Sequence, residues 1–164
     1  MGKASRKKQL NRNEIQFVNG VKLSDALLEI CEEYYSISIA DLKKHELEGV
    51  LYLASTAWNI ASVPEEDQSE KINHVINTIP NMKEELESDK LKEKELGFPV
   101  PEEELSDGSI RLSALLTMIH IKEEKYPNEK WIISKINMKS NKDGYSIEVK
   151  AFPVSKSTSV SVEM

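Results

Sequence analysis

The fold is decided by residues 47–63, which read LEGVLYLASTAWNIASV. Apolar side chains recur through this stretch at the spacing of one helix face, and further ones widen the apolar surface around the helix. The main face consists of Leu47, Val50, Leu51, Ala54, Trp58 and Ala61. A helix that is apolar around most of its circumference packs against neighbours on several sides. The stretch therefore predicts a central helix, which we expect to begin near Asp41 and to end near Val63.

Helical spacing continues on both sides of this central helix. Before it, Ser24 is a suitable N-cap for a first helix. After it, Ser62 and Pro64 mark the start of a third helix, and Asn81 with Glu84 resembles a capping box that opens a charged fourth helix. A fifth helix is expected to start near Ser109. Its apolar side chains, which we expect to surround it, are Ile110, Leu112, Leu115, Leu116, Ile119 and Ile121. We therefore predict about five helices around two central ones, the second and the fifth.

The hydrophobic period changes from 3.6 to 2 after Pro127, which indicates strands. The two alternating runs are Ile132, Ser134, Ile136, Met138 and then Tyr145, Ile147, Val149, Ala151. Asp143-Gly144 between them is a strong turn signal for a hairpin. Since a lone hairpin is only marginally stable, its apolar face must pack on helices, and the fifth helix is the nearest candidate. The predicted fold is α+β, mainly α, with a C-terminal antiparallel β-hairpin.

The length of 164 residues suits a single hydrophobic core. We expect a globular domain over residues 21–153, with its helices in residues 21–127 and its hairpin in residues 130–153. A basic N-terminal tail, residues 1–20, precedes the domain, and a C-terminal tail, residues 154–164, follows it. Ser, Thr and Val alternate near the end of the chain, where they could add a third strand or remain a loose end.

Charge is distributed unevenly along the chain. Residues 1–13 carry five basic side chains and no acidic one, so the net charge of −6 leaves −11 on the other residues. The basic side chains are Lys3, Arg6, Lys7, Lys8 and Arg12. A basic tail could contact nucleic-acid phosphates or the acidic surface of a partner protein, or it could simply be solvated.

The motifs that carry chemistry each fail at a named residue. His45-Glu46 begins like the HExxH zinc motif, but Gly49 occupies the place of the second histidine. No glycine-rich phosphate loop can be drawn through the six glycines. Cys31 lies in an apolar run, where a buried and inert thiol is expected. We therefore expect no catalytic residue, no metal site and no cofactor, and we do not expect an enzyme.

Membrane insertion is not expected from this sequence. The longest apolar region, residues 50–63, is too short to span a bilayer and is interrupted by Ser55, Thr56 and Asn59. The basic start is followed by polar residues instead of the apolar core of a signal peptide. A single cysteine fits a reducing compartment, so a cytoplasmic location is expected.

Two surfaces in the body are candidates for contact with a partner. One is the acidic run Glu102, Glu103 and Glu104, which could complement a basic surface. The other is Trp131, at the start of the first strand, which could anchor a partner. We expect a small bacterial accessory protein, such as an adaptor, regulatory or immunity-type factor, that binds a larger protein and could also form homo-oligomers. The alternative is a nucleic-acid-associated protein that uses residues 1–13.

Overall fold

The computed structural model describes residues 17–18, 21–35, 42–142 and 144–154. The basic residues of the N-terminal tail and the alternating segment 155–164 lie outside these ranges. The elements in chain order are β1 (Phe17–Val18), β2 (Val21–Lys22), α1 (Leu23–Tyr35), α2 (Lys44–Ala61), α3 (Glu65–Thr78), α4 (Met82–Leu96), a 3-10 turn (Glu102–Glu104), α5 (Asp107–Lys125), β3 (Trp131–Asn141) and β4 (Gly144–Pro153). The predicted mainly α fold with a C-terminal hairpin is confirmed. The small antiparallel pair β1–β2 was not predicted, because two residues per strand are too few to show a period.

Helix α2 lies at the centre of the fold, as its sequence predicts. It packs against α1, α3, α5 and β3. Its buried residues are Leu47, Val50, Leu51, Ala54, Ala57, Trp58, Ile60 and Ala61. The second predicted central helix, α5, packs against α1, α2 and α4 but is not surrounded. Ile110 is 44% exposed and Leu116 is 46% exposed, so the described elements leave part of the surface of α5 uncovered.

The predicted starts of α1 and α3 are wrong in detail. Ser24 lies inside α1, which already begins at Leu23 directly after β2. Ser62 ends α2 as its C-cap, where its hydroxyl donates to the Trp58 carbonyl oxygen at 2.8 Å, and the N-cap of α3 is Pro64. In both cases the preceding element ends so close to the predicted N-cap that this polar residue cannot serve as the cap.

The starts of α4 and α5 differ from prediction for local reasons. Asn81 adopts a left-handed backbone conformation, with a φ of 66°, and its side chain makes no cap hydrogen bond, so there is no capping box. The N-cap of α5 is Ser106 instead of a residue near Ser109, and its hydroxyl accepts from the Ser109 N–H at 3.3 Å.

The C-terminal hairpin pairs β3 with β4 in antiparallel register from Asn141↔Gly144 to Trp131↔Pro153. A bulge at Ser134, between Ile133 and Lys135, shifts the alternation along β3. Ile133 and Ile136 therefore both face the core, and the simple alternation predicted from Ile132 to Met138 is wrong in its first half.

The hairpin packs on α2 through β3 and on α1 through β4. The prediction that it covers the fifth helix is therefore wrong. The face packed on these helices, called here the inner face, contributes Ile133 and Val149 to the core, with Ile136, Met138, Tyr145, Ile147 and Ala151 half-buried beside them. The hairpin lies on α2 because α2 supplies both an apolar surface and an amide side chain that binds β3.

Candidate functional site

A groove of about 510 Å³ runs between α2 and the edge of β3 that faces away from β4. One wall consists of α2 side chains, and the other is the strand itself. We call it the α2–β3 groove, and its lining residues are Glu48, Leu51, Tyr52, Ser55, Thr56, Asn59 and residues 133–138. A strand edge at the wall of a groove places main-chain polar groups where a ligand can reach them.

The hairpin turn determines which backbone groups of β3 face this groove. Asn141 and Gly144 are paired across two residues, so they exchange both main-chain hydrogen bonds. The bonded pairs then alternate along the ladder, so that Lys135 and Asn137 bond to β4. The N–H and C=O groups of Ile136 and Met138 consequently point away from β4. Within the described part of the chain, these outward groups have no hydrogen-bond partner.

Asn59 occupies the edge at the bulge, where one end of the open stretch lies. Its Nδ2 donates to the Ile133 carbonyl oxygen at 3.0 Å, and its Oδ1 accepts from the Ile133 N–H at 2.7 Å. The amide thus makes the two hydrogen bonds that a neighbouring strand would make to Ile133. The edge is closed at Ile133 and open from Ile136 onwards.

The α2 wall of the groove presents an exposed aromatic ring and two hydroxyl groups that are bonded to the helix backbone. Tyr52 is 66% exposed, and the hydroxyls of Ser55 and Thr56 both donate to the Tyr52 carbonyl oxygen, at 2.8 and 2.9 Å. The floor is apolar, with Leu51 and Ile133 buried. An extended chain could bond to the strand edge and place apolar side chains on this floor.

A second groove, of about 680 Å³, lies where α1, α2, α3 and α5 approach one another. Its apolar lining includes Leu42, Leu53, Val75 and Ile79. Helix α3 has no fully buried residue, so its apolar side chains are only half-covered by α2. Arg111, the one arginine outside the N-terminal tail, lies at this groove.

Of the residues predicted to contact partners, those that the structure describes are not among the lining residues of the α2–β3 groove. Glu102–Glu104 form the exposed 3-10 turn before α5. Trp131 is half-buried against the core, and its ring N–H donates to Glu129 Oε2 at 3.3 Å. Lys3, Arg6, Lys7, Lys8 and Arg12 lie outside the described residues, so a nucleic-acid contact through them stays a prediction.

Histidine and cysteine side chains do not converge. His45, His74 and His120 are exposed on three different helices. In the described ranges no group of three or more His, Cys, Asp or Glu side chains is placed to hold a metal ion. Burial raises the pKa of the Cys31 thiol to about 12, and its Sγ lies 3.9 Å from the Val50 carbonyl oxygen to which it donates. A thiol with so high a pKa is a poor nucleophile.

Two buried charged side chains, Asp89 and Lys122, were not predicted from the sequence. Lys122 is only 1% exposed, although it lies in the last turn of α5. Its Nζ donates to the Glu129 carbonyl oxygen at 2.7 Å and lies 5.1 Å from the centre of the Trp58 ring. Burial lowers the pKa of Lys122 to about 8. These contacts join the end of α5 to the last turn of α2 and to the loop before β3.

The α2–β3 groove itself could not be found from the sequence, because it joins residues 74 positions apart. In the sequence, Asn59 appears only as a polar residue that interrupts the apolar region 50–63. Among the described residues no helix is long and apolar enough to cross a membrane. No protein-family model, no curated protein and no solved structure matches this chain.

Proposed function

We propose that this protein is a non-enzymatic interaction factor that binds an extended segment of a larger partner protein at the α2–β3 groove. The observation that carries the proposal is the open backbone of Ile136 and Met138 along one wall of the groove. An added strand gains affinity from main-chain hydrogen bonds and specificity from alternate side chains. The groove supplies both, since the edge provides the bonds and the apolar floor receives every second side chain.

The shape of the edge also suits the binding of an added strand, because little of the edge is protected against pairing. Proteins commonly protect long strand edges with a covering element, a proline or a bulge. Here the bulge and Asn59 protect the edge only at Ile133. Proline is absent from β3. The described residues leave the part of the edge beyond Asn59 uncovered, beside an apolar floor.

The test uses short peptides as probes and a proline in the strand. A fluorescent, capped seven-residue peptide of alternating Thr and Val is titrated with the full chain, and anisotropy reports binding. Met138→Pro removes one outward donor and leaves the bonds to β4, because the Met138 N–H points into the groove. We expect it to weaken binding about three- to tenfold, the loss of one hydrogen bond. Met138→Val keeps the N–H and is the matched control.

A chemical change in the peptide makes the test independent of the variant's folding. N-methylation of two alternate peptide residues removes donors from the guest strand and leaves its side chains unchanged. We expect the methylated peptide not to bind the unmodified protein. Equal binding of the methylated and unmethylated peptides, or no binding of any peptide, would contradict strand addition.

A further inference from the structure

We infer that the partner segment is an acidic one, in which acidic and apolar residues alternate. This inference rests on the proposed function and adds the chemistry of the guest strand. It is carried by the exposed face of the hairpin, called here the outer face, on which lysines predominate although the chain as a whole has a net charge of −6.

The outer face carries an excess of positive charge beside the groove. Its charged side chains are Lys135, Lys139, Lys150 and Glu148, all exposed. Lys135 is paired directly with Lys150 across the two strands. Like charges in directly opposed positions destabilise a sheet. Among the described residues these three lysines form no ion pair, so their charge is not compensated within that part of the chain.

The pleat of β3 determines which guest residues would meet these lysines. Side chains on adjacent strands that are directly opposite point to the same face. Guest residues opposite Lys135, Asn137 and Lys139 would therefore point to the outer face, where acidic side chains would pair with lysine. Guest residues opposite Ile136 and Met138 would point to the inner face, over Leu51 and Tyr52. The complementary guest thus alternates acidic with apolar residues.

A second copy of the chain suits this edge less well. Two β3 edges paired antiparallel about a two-fold axis through Asn137 would place Lys135 of each copy opposite Lys139 of the other. Such opposed lysines disfavour self-pairing. The same lysines favour a guest strand that carries Glu or Asp at these positions.

The experiment compares matched peptides on the full-length protein by fluorescence anisotropy. The peptides share three Val residues and differ at the alternate positions, which are Glu, Thr or Lys. A fourth peptide has the sequence of residues 155–164. We expect the Glu peptide to bind about three- to tenfold more tightly than the Thr peptide, as two cross-strand ion pairs would give, and the Lys peptide to bind most weakly. The difference in affinity between the Glu peptide and the Thr peptide should shrink at high salt.

A double variant then locates the effect. Lys135→Gln with Lys139→Gln should bring the Glu and Thr peptides to similar affinity and leave the affinity for the Thr peptide unchanged. Lys83→Gln with Lys90→Gln, two exposed positions on α4, changes the net charge equally and should preserve the difference.

The outcomes separate the inference from the proposed function. Equal affinities for the Glu and Thr peptides overturn the acidic guest while strand addition stands. Failure of every peptide overturns both. Tightest binding of the 155–164 peptide overturns the acidic partner in favour of the chain's own C-terminal segment. Dimerisation that is lost in Met138→Pro but kept in Met138→Val overturns it in favour of a second copy.

Discussion

The Asn59 side chain makes the hydrogen bonds that a neighbouring strand would otherwise make to β3. Its amide has a donor and an acceptor at the spacing of a peptide group, and both are bonded to Ile133. Without it, the bulged part of β3 would present two unpaired main-chain groups to the half-buried surface of α2. The residue therefore joins the hairpin to the central helix and closes one end of the groove.

We expect Asn59→Ala to lower the free energy of unfolding by about 1–3 kcal/mol, the cost of leaving buried polar groups without partners. Urea denaturation followed by circular dichroism measures the change. Asn73→Ala, the same substitution at an exposed position of α3, is the control and should have a much smaller effect. Equal losses in the two variants would show that the bonds to Ile133 contribute little.

Lys122 makes the stability of the protein depend on pH in the alkaline range. Its pKa of about 8 lies below the ordinary value of 10.5, so above about pH 8 the unfolded chain holds this proton more tightly than the folded one. The contribution of Lys122 to the free energy of unfolding should therefore rise with pH between about pH 8 and pH 10.5 and stay constant below pH 8.

We expect this rise to be absent in Lys122→Met. The wild type should gain on the order of 1–3 kcal/mol relative to the variant between pH 8 and pH 10.5. Burial also raises the pKa values of Cys31 and Tyr126 to about 12, but both groups are present in both proteins. The difference between the two chemical-denaturation series therefore isolates Lys122. Parallel pH curves would contradict the assignment.

At the scale of elements, α4 is attached to α5 largely through two carboxylates. Asp89 Oδ2 accepts from the Ser106 hydroxyl at 2.6 Å, from the Ser106 N–H at 3.1 Å and from the Ser109 hydroxyl. Glu85 Oε2 accepts from the Gly108 N–H at 2.6 Å. Both lie at the N-terminus of α5, where the helix dipole favours negative charge. In contrast, Leu91 of α4 is 58% exposed.

We expect Asp89→Asn to loosen α4 without unfolding the core. Amide hydrogen exchange should become at least several-fold faster in α4 and stay unchanged in α2, since a local opening exposes only the weakly packed helix. Glu87→Gln, an exposed position on the same helix, is the control. Faster exchange throughout the protein would contradict a local role for Asp89.

The same contacts make the attachment of α4 to α5 weaker at low pH. The hydrogen bonds from Ser106 and Ser109 lower the pKa of Asp89 below its ordinary value of 3.8. A carboxyl whose pKa is lowered by folding stabilises the folded state above its unfolded pKa and loses that effect as the pH falls. Protection of the α4 amides against exchange, relative to the intrinsic rate, should therefore decrease below about pH 3.8 in the wild type and change little in Asp89→Asn.

The elements differ in how far they could be predicted. Helices α1 and α2 follow from periodicity, because their apolar spacing matches the faces they bury. The bulge at Ser134 could not be predicted, since one added residue leaves the local pattern of apolar residues plausible in either phase. The exposure of Ile110 and Leu116 also escaped prediction, because apolar residues around a helix do not show which of them a neighbouring element will cover.

At the scale of the whole molecule, helices distant in sequence are joined by polar contacts at the protein surface. Lys125 Nζ lies 2.8 Å from Glu29 Oε1 and 2.7 Å from Glu33 Oε2, and the Tyr126 hydroxyl donates to Glu29. These contacts join the end of α5 to α1. They lower the pKa of Glu29 and raise that of Lys125, which is the mark of a mutually stabilising pair.

The candidate site belongs to this scale, which explains why sequence patterns did not reveal it. Its two walls come from a helix and a strand whose contact is decided by the packing of the whole chain. Glu102–Glu104 and Trp131 were predicted as contacts because an acidic run and a tryptophan stand out in the sequence, but they are not among the lining residues of the groove. The lysines of β3 read as ordinary solvent-facing residues until their position beside an open edge is known.

Asn59 and the bulge at Ser134 have one more consequence for any strand that adds to β3. A guest with a two-residue repeat could slide along a uniform edge in steps of two and bind in several alignments of similar energy. The occupied position at Ile133 acts as a fixed stop, so that the guest must begin beyond it. The guest segment would then bind in a single register. Binding would therefore distinguish sequences that have the same composition in a different order.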